Sequence, residues 1–310
     1  MSAAVAVTPH PVARPAAKDL ASIGACSLIW GTTWYAITLQ LGEVPAVASI
    51  VYRFALAAAL LAGWCLLSRQ SLRLTRAQHW AAAGQGLFTF AIDYALVYLA
   101  EEKIASAVVA VLFAGLAFVN LILFRLVARQ KAARAAWIGA ALGIVGVAVL
   151  SGSELFGGGE ARPGATTGLV FAVLAVAAAA VGNLFAWRGQ LAGGAVAPMT
   201  AWGMAYGAAM LALYGLVTGM EWRFEASWSY VGSLLWLSVM GSVVAFVLYF
   251  KLARSRGYAI ASYVSALTPP VAMAMSALFE KATFGAWAFL GLALVLAGQL
   301  LLIRAPRAAA

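Results

Sequence analysis

Charge is what this chain has least of. Charged residues make up 10% of it, against roughly 25% in soluble domains, while 65% is hydrophobic and mean hydropathy is +0.94. A soluble globule with so little charge would have to coat itself in apolar side chains, so that class is excluded. Cysteine and histidine are nearly missing too. Cys26 and Cys65 stand singly in apolar runs, without disulfide or metal-ligand spacing, and packing is their expected use. His10 and His79 lie near the start and at the edge of an apolar run, so Gly241-Ser242 has no histidine base at its depth. With no phosphate-binding glycine loop and no large soluble stretch, neither an enzyme nor a bound cofactor or metal is expected.

What is present is a series of apolar runs, each near the ~20 residues that cross the hydrocarbon of a bilayer. Ten are expected: 20–39, 45–67, 77–99, 104–124, 133–151, 166–186, 196–217, 228–250, 258–279 and 283–303. The fold class is therefore an all-α integral membrane protein. The first run is read as a helix rather than a signal peptide, because it is span-length, holds Trp30 and Trp34, and lacks a convincing cleavage site.

The formal net charge of +10 suggests nucleic acid until its placement is read. Arg14, Lys18, Arg69, Arg73, Arg76, Arg125, Arg129, Lys131, Arg134, Arg188, Lys251, Arg254, Arg256, Arg304 and Arg307 all fall in alternate connecting segments. The remaining segments hold Lys103, Arg162, Arg223 and Lys281 with Glu43, Glu101, Glu102, Glu154, Glu160, Glu221, Glu225 and Glu280. By the positive-inside bias both termini are cytoplasmic, and the expected location is a bacterial inner membrane, multi-pass, with lipid rather than nucleic acid as the surroundings.

Gly157-Gly158-Gly159 divides the chain. The expected organisation is a tail (1–19), a five-helix repeat (20–151), a connector (152–165), a second five-helix repeat (166–303) and a short tail (304–310). Ile104-Ala105-Ser106 realigns with Ile260-Ala261-Ser262, Tyr98 with Tyr249, and Gly139 and Gly146 with Gly291 and Gly298. Five is odd, so the second copy enters from the opposite side. Inverted repeats are the architecture of alternating-access transporters. A receptor without transport would leave the repeat unexplained.

Leu28-Ile29-Trp30-Gly31-Thr32-Thr33-Trp34, Tyr52-Arg53-Phe54-Ala55, Trp137-Ile138-Gly139-Ala140-Ala141-Leu142 and the stretch from Ala261-Ser262 through Pro269 to Glu280 resemble the motifs of EamA-type drug/metabolite transporters (DMT superfamily) over nearly the whole chain. Within that superfamily the chain most resembles the YddG-type aromatic amino acid exporters. The resemblance implies a basket of helices 1–4 and 6–9 around a cavity, with helices 5 and 10 outside. Phe113-Ala114-Gly115-Leu116 and Phe124-Arg125-Leu126 depart from the family pattern of proline and glutamate in and after the fourth helix. Small multidrug relatives carry a coupling acid in the first helix; Trp30-Gly31-Thr32-Thr33 offers none, so facilitated diffusion is expected.

Residues near mid-depth nominate the substrate pathway: Trp30, Phe88, Thr89, Ser238, Ser242, Ser265, Thr268 and Pro269, with Gln85 and Asn183 toward the cytoplasm. Aromatic faces attract rings and ammonium groups, and hydroxyls and amides satisfy a zwitterion. Arg53 and Asp93 are the charges within the spans, at comparable depth. They either pair to fix two helices or bind substrate, Asp93 taking an amine or a proton and Arg53 a carboxylate. With one intramembrane cation, organic phosphates fit poorly and small zwitterions or neutral metabolites fit better. Thr268-Pro269-Pro270 removes two backbone donors and predicts a broken, gating ninth helix opposite a stiffer fourth. Gly139 and Gly143 have small-xxx-small spacing, expected to pack the monomer, with a dimer contact as the alternative.

Overall fold

The structure is a computed structural model and describes residues 17–129, 131–156 and 163–304. His10, Arg14, Gly157-Gly158-Gly159, Glu160, Arg162 and Arg307 lie outside those residues. The described residues are helical and contain no strand: α1 (Ala17–Thr38), α2 (Ala46–Leu67), α3 (Arg76–Glu101), α4 (Ser106–Ala114), α5 (Leu116–Val127), α6 (Arg134–Phe156), α7 (Ala165–Leu191), α8 (Val196–Val217), α9 (Trp228–Arg256), α10 (Tyr258–Phe279) and α11 (Ala286–Arg304). Among them, eight spans are long and apolar enough to cross a membrane, α4 and α5 together making one; α10 and α11 add shorter apolar stretches, Tyr263–Phe279 and Ala286–Leu302. Helices dominate because lipid offers no partner for a backbone N–H or C=O, so each segment satisfies its own.

Local sequence explains several boundaries. Thr75 and Gln78 form a reciprocal capping box at the start of α3, at 3.3 and 2.9 Å. Ser227 caps α9 by accepting from Tyr230 N–H at 3.2 Å. Gly257, at φ +86°, turns the chain between α9 and α10, a conformation costly for any residue with a Cβ. The observed α7 runs to Leu191, beyond the expected 186, since the stretch from Ala186 to Leu191 contains no proline and Gly189 alone does not end the helix.

The expected contrast between helices 9 and 4 is reversed. The helix expected to break at Thr268-Pro269-Pro270 runs on as α10 from Tyr258 to Phe279. Proline's fixed φ suits a helix even where its missing N–H does not, and Thr268 Oγ1 donates back to Val264 O at 2.8 Å. The break lies instead in the proline-free segment, at Gly115, between α4 and α5. There the bonding shortens to three-residue turns, Gly115 N–H to Leu112 O and Phe118 N–H to Gly115 O, both 2.9 Å. The amide of Gln299, fully buried on α11, donates to Ala114 O at 2.6 Å and satisfies a carbonyl at this break.

Two helices carry wider turns. Gly86–Asp93 within α3 and Leu237–Val244 within α9 are π-helical, with five-residue bonding. Ser242 Oγ donates to Leu237 O, five residues back, at 2.8 Å. Trp30 Nε1 of α1 donates to Gly241 O at 3.0 Å.

Helices α6 and α11 pack along each other with backbones almost touching. A Cβ on Gly139 would stand 2.5 Å from Gly298 O, and one on Gly146 would stand 2.7 Å from Gly291 O. Gly143 faces Phe118. The small-residue stripe is thus occupied within the chain. At one end of the bundle Arg256 of α9 pairs with Asp19 of α1 at 2.7 Å. At the other, Glu280 at the end of α10 accepts hydrogen bonds from the backbone N–H and the hydroxyl of Ser106, the first residue of α4.

Candidate functional site

A cavity of about 100 Å³ lies among α1, α3, α4, α5, α7, α9 and α10. Its α1 wall is Trp30, Thr33, Trp34 and Ile37, spaced to share one helix face. Thr89, Asp93, Tyr94 and Val97 repeat that pattern on α3. Phe113 and Leu116 flank the Gly115 break, Asn183 comes from α7, Phe246 and Tyr249 from α9, and Ser265 and Thr268 from α10. Gly31 brings α1 close to α10 beside Thr268: a Cβ there would stand 2.5 Å from Val271 Cβ and 3.4 Å from Thr268 O.

The aromatic wall is held together by its own contacts. Trp30 packs on Phe246 and Tyr249, each with ring centroids 5.2 Å apart, and Trp34 packs on Phe113 at 5.0 Å. The polar part of the cavity is less satisfied. Trp34 Nε1, Thr89 Oγ1 and Asp93 Oδ1 are buried and have no hydrogen-bond partner. A buried polar atom left unpaired costs about 1–3 kcal/mol, and three such atoms belong to residues that line this one cavity. Asp93 is 4% exposed and is the cavity's one carboxylate; no lysine or arginine lines it.

Of the residues nominated from sequence, Trp30, Thr89, Asp93, Asn183, Ser265 and Thr268 meet in this cavity. The others lie elsewhere. Phe88 stacks on Phe185 at 5.8 Å, Gln85 is buried with Nε2 unpaired, and Ser238 is bonded to Leu234 O at 2.7 Å. Pro269 is buried in α10 beside the lining. Arg53 is fully buried behind the cavity wall, where Nε donates to Ser242 Oγ at 3.0 Å and Nη2 to Tyr94 OH at 3.4 Å. Its guanidinium also stands 4.4 Å from the Tyr94 ring centre. The ion pairs among the described residues are Arg223–Glu221 and Arg256–Asp19, so Arg53 and Asp93 do not form one. Arg53 therefore ties α2 to the π segment of α9 rather than facing the cavity.

Sequence reasoning missed Trp34, Tyr94, Phe113, Phe246 and Tyr249. Stepping three or four residues from Trp30 reaches Trp34, and one residue on from Asp93 reaches Tyr94, so the helical period was a usable signal for the first. Gln299 and Glu101 were missed as well. Glu101 was grouped with the loop acids, but it ends α3 buried, at 6% exposure, with both carboxyl oxygens unpaired.

The family model of EamA-like transporters matches residues 20–152 and again 166–304. The chain belongs to the EamA-like transporter family. It is a multi-pass membrane transporter of the drug/metabolite superfamily, and the family match points to a transporter rather than an enzyme. Similar proteins include the uncharacterized inner membrane transporter YedA of Escherichia coli K12 and that of Escherichia coli O157:H7. Each is 26% identical over 251 residues, covering 80% of this chain and 78% of the relative. A solved structure, described only as a crystal structure of a protein, superposes with a TM-score of 0.69 at 17% identity, over 92% of this chain and 96% of the other. At that identity it speaks for the fold alone.

Proposed function

We propose that this EamA-family protein exports amino acids, aromatic and other neutral ones, or similar small metabolites across the bacterial inner membrane by alternating access. The observation that carries the reading is the cavity itself. It combines aromatic walls with an unpaired carboxylate, an unpaired indole N–H and an unpaired hydroxyl, which suit an ammonium group, a hydrogen-bond acceptor and an apolar body in one small molecule.

The architecture proposed is ten spans in two inverted five-helix repeats, with both termini cytoplasmic and α6 and α11 outside as supports. The double family match supports it. So does a structural register: the alignment that pairs Tyr98 with Tyr249 also carries the π segment Gly86–Asp93 onto Leu237–Val244. The small-residue stripe, filled by the α6–α11 contact, supports a monomer. A cavity of about 100 Å³ is below the ~300–1,000 Å³ of pockets that enclose drug-sized ligands. On this reading the helices part further when a substrate loads. The Gly115 break is one place where they can bend, as its carbonyl Ala114 O is already held by a side chain rather than by its own helix.

Counterflow into proteoliposomes tests this reading. Uptake of labelled phenylalanine, tryptophan or leucine above protein-free liposomes is expected. If correctly assembled protein moves none of them, the amino-acid reading falls.

One observation favours a second reading, a proton-coupled exporter of drugs or metabolites using Asp93: this residue lines the cavity, and its buried Oδ1 has no hydrogen-bond partner. Under that reading a pH gradient alone drives substrate accumulation. Under facilitated diffusion it does not.

A further inference from the structure

The connection between α2 and α3 carries cations that nothing in the protein answers. Arg69, Arg73 and Arg76 stand at exposed positions, and among the described residues their side chains make no hydrogen bond and no ion pair. Nor is there a carboxylate nearby to take them. Gln78 Nε2 of α3 donates to Ala192 O, and Arg254 Nη1 of α9 donates to Gly194 O, both at 2.9 Å, so the start of α3, the start of α8 and the close of α9 share one end of the bundle. Asp19 is the one described acid at that end, and Arg256 already pairs with it.

An open groove lies against this connection. Its floor is Leu66 and Leu72 beside Trp202 of α8, whose Nε1 donates to Leu72 O at 2.9 Å. Its polar wall is Gln70, Ser71, Arg73 and His79. Ser71 Oγ accepts from Arg73 N–H at 3.1 Å, which leaves its own proton to give, and His79 meets Tyr206 OH through Nδ1 at 2.9 Å, which leaves its other ring nitrogen. Four side chains that can donate, and among the described residues no carboxylate, line one groove; that set suits an anion with several acceptor oxygens. The flanks decide what carries the anion. Trp64 and Leu67 at the end of α2 and Trp80 at the start of α3 are exposed, Leu67 at 85%. Such a surface belongs against acyl chains, with tryptophan at headgroup level. A free phosphate would use the polar wall alone, and an acidic protein or nucleic acid would leave the apolar flank uncovered.

We propose that this groove binds the headgroup of an anionic phospholipid, with Arg73 taking the phosphate and the acyl chains lying along the exposed ends of α2 and α3. Arg69 and Arg76 border the groove without lining it and add long-range attraction. Each arginine near an anionic headgroup strengthens binding about fivefold. The site also joins the two matched family segments, since its polar wall belongs to 20–152 and Trp202 to 166–304. A lipid seated there touches both and favours the arrangement in which Trp202 stays bonded to Leu72.

Native mass spectrometry of the full chain in detergent, offered equal amounts of dioleoylphosphatidylglycerol and dioleoylphosphatidylcholine, tests this. The two lipids share their chains and differ in headgroup charge. Native protein is expected to retain phosphatidylglycerol in preference, Arg73→Gln to lower that preference about fivefold, and Arg73→Lys, which keeps the charge, to hold most of it. Arg134→Gln is the control. It removes the same charge from an exposed position on α6, which packs on α11 and starts at the end where Phe124 of α5 meets Trp187 of α7, and it is expected to match the native protein. Sodium phosphate at the lipid's concentration is expected not to displace the lipid. Three results would each overturn the proposal: no preference in native protein, equal loss in Arg73→Gln and Arg134→Gln, which means diffuse attraction to the whole basic end, or displacement by phosphate, which means a free-anion site. No solute moves in this assay, so its outcome and that of counterflow stand or fall separately.

Discussion

Replacing Gly146 by alanine tests how closely α6 and α11 are joined. The added Cβ would stand 2.7 Å from both Gly291 O and Val295 N and 2.9 Å from Leu294 Cβ. Two of these neighbours are backbone atoms, which no rotamer change can move, and ordinary contact begins near 3.5 Å. The helices must therefore separate by several tenths of an ångström along a seam that also holds Gly139 against Gly298. Overpacking of this kind costs typically about 1–3 kcal/mol. Gly63→Ala on α2 is the matched control: nothing lies within 4 Å of the new Cβ, and alanine is intrinsically the better helix former by about 1 kcal/mol. Thermal unfolding in detergent, followed by loss of the monomer peak, is expected to move down by several degrees for Gly146→Ala and to hold or rise for Gly63→Ala. Equal stability of the two variants would refute the reasoning, because it would mean that the α6–α11 backbones are not in contact.

Two further variants separate structure from transport. Ser242→Ala removes the acceptor of Arg53 Nε in a side chain whose Nη1 is already unpaired; a hydrogen bond to a charged group is worth about 1.5–3 kcal/mol, and unfolding temperature should fall accordingly. Trp34→Phe deletes an unpaired buried N–H while keeping an aromatic wall against Phe113; stability is expected to hold, and KM for the transported solute to rise about fivefold if that N–H contributes about 1 kcal/mol to substrate.

Much of the fold was legible because lipid imposes a simple rule on span length. Val196–Val217 and Tyr258–Phe279 begin and end where hydropathy places them. Hydropathy does not register hydrogen-bond spacing, so the π segments at Gly86 and Leu237 left no trace in it. The prolines misled for a related reason: they report missing donors, whereas the path of α10 depends on packing against α1 at Gly31. For the site, depth could be read but rotation could not. Thr89 and Ser238 have similar depth and similar chemistry, yet one faces the cavity and the other bonds its own helix. Gln299 looked like an incidental polar residue on an apolar helix until Ala114 O gave it a partner. Glu101 shows the limit at a span's edge, where a few residues of boundary error turn a buried acid into a loop acid.

The central claim is that the cavity around Asp93 is where substrate binds. Counterflow by native protein and by Asp93→Asn, reconstituted at equal density, tests it most directly. Asparagine keeps the shape and removes the charge, and a charge-assisted bond of about 1.5–3 kcal/mol corresponds to roughly a ten- to hundredfold loss of uptake at limiting substrate. The account predicts that loss together with normal assembly. Uptake by Asp93→Asn equal to that of the native protein would contradict it.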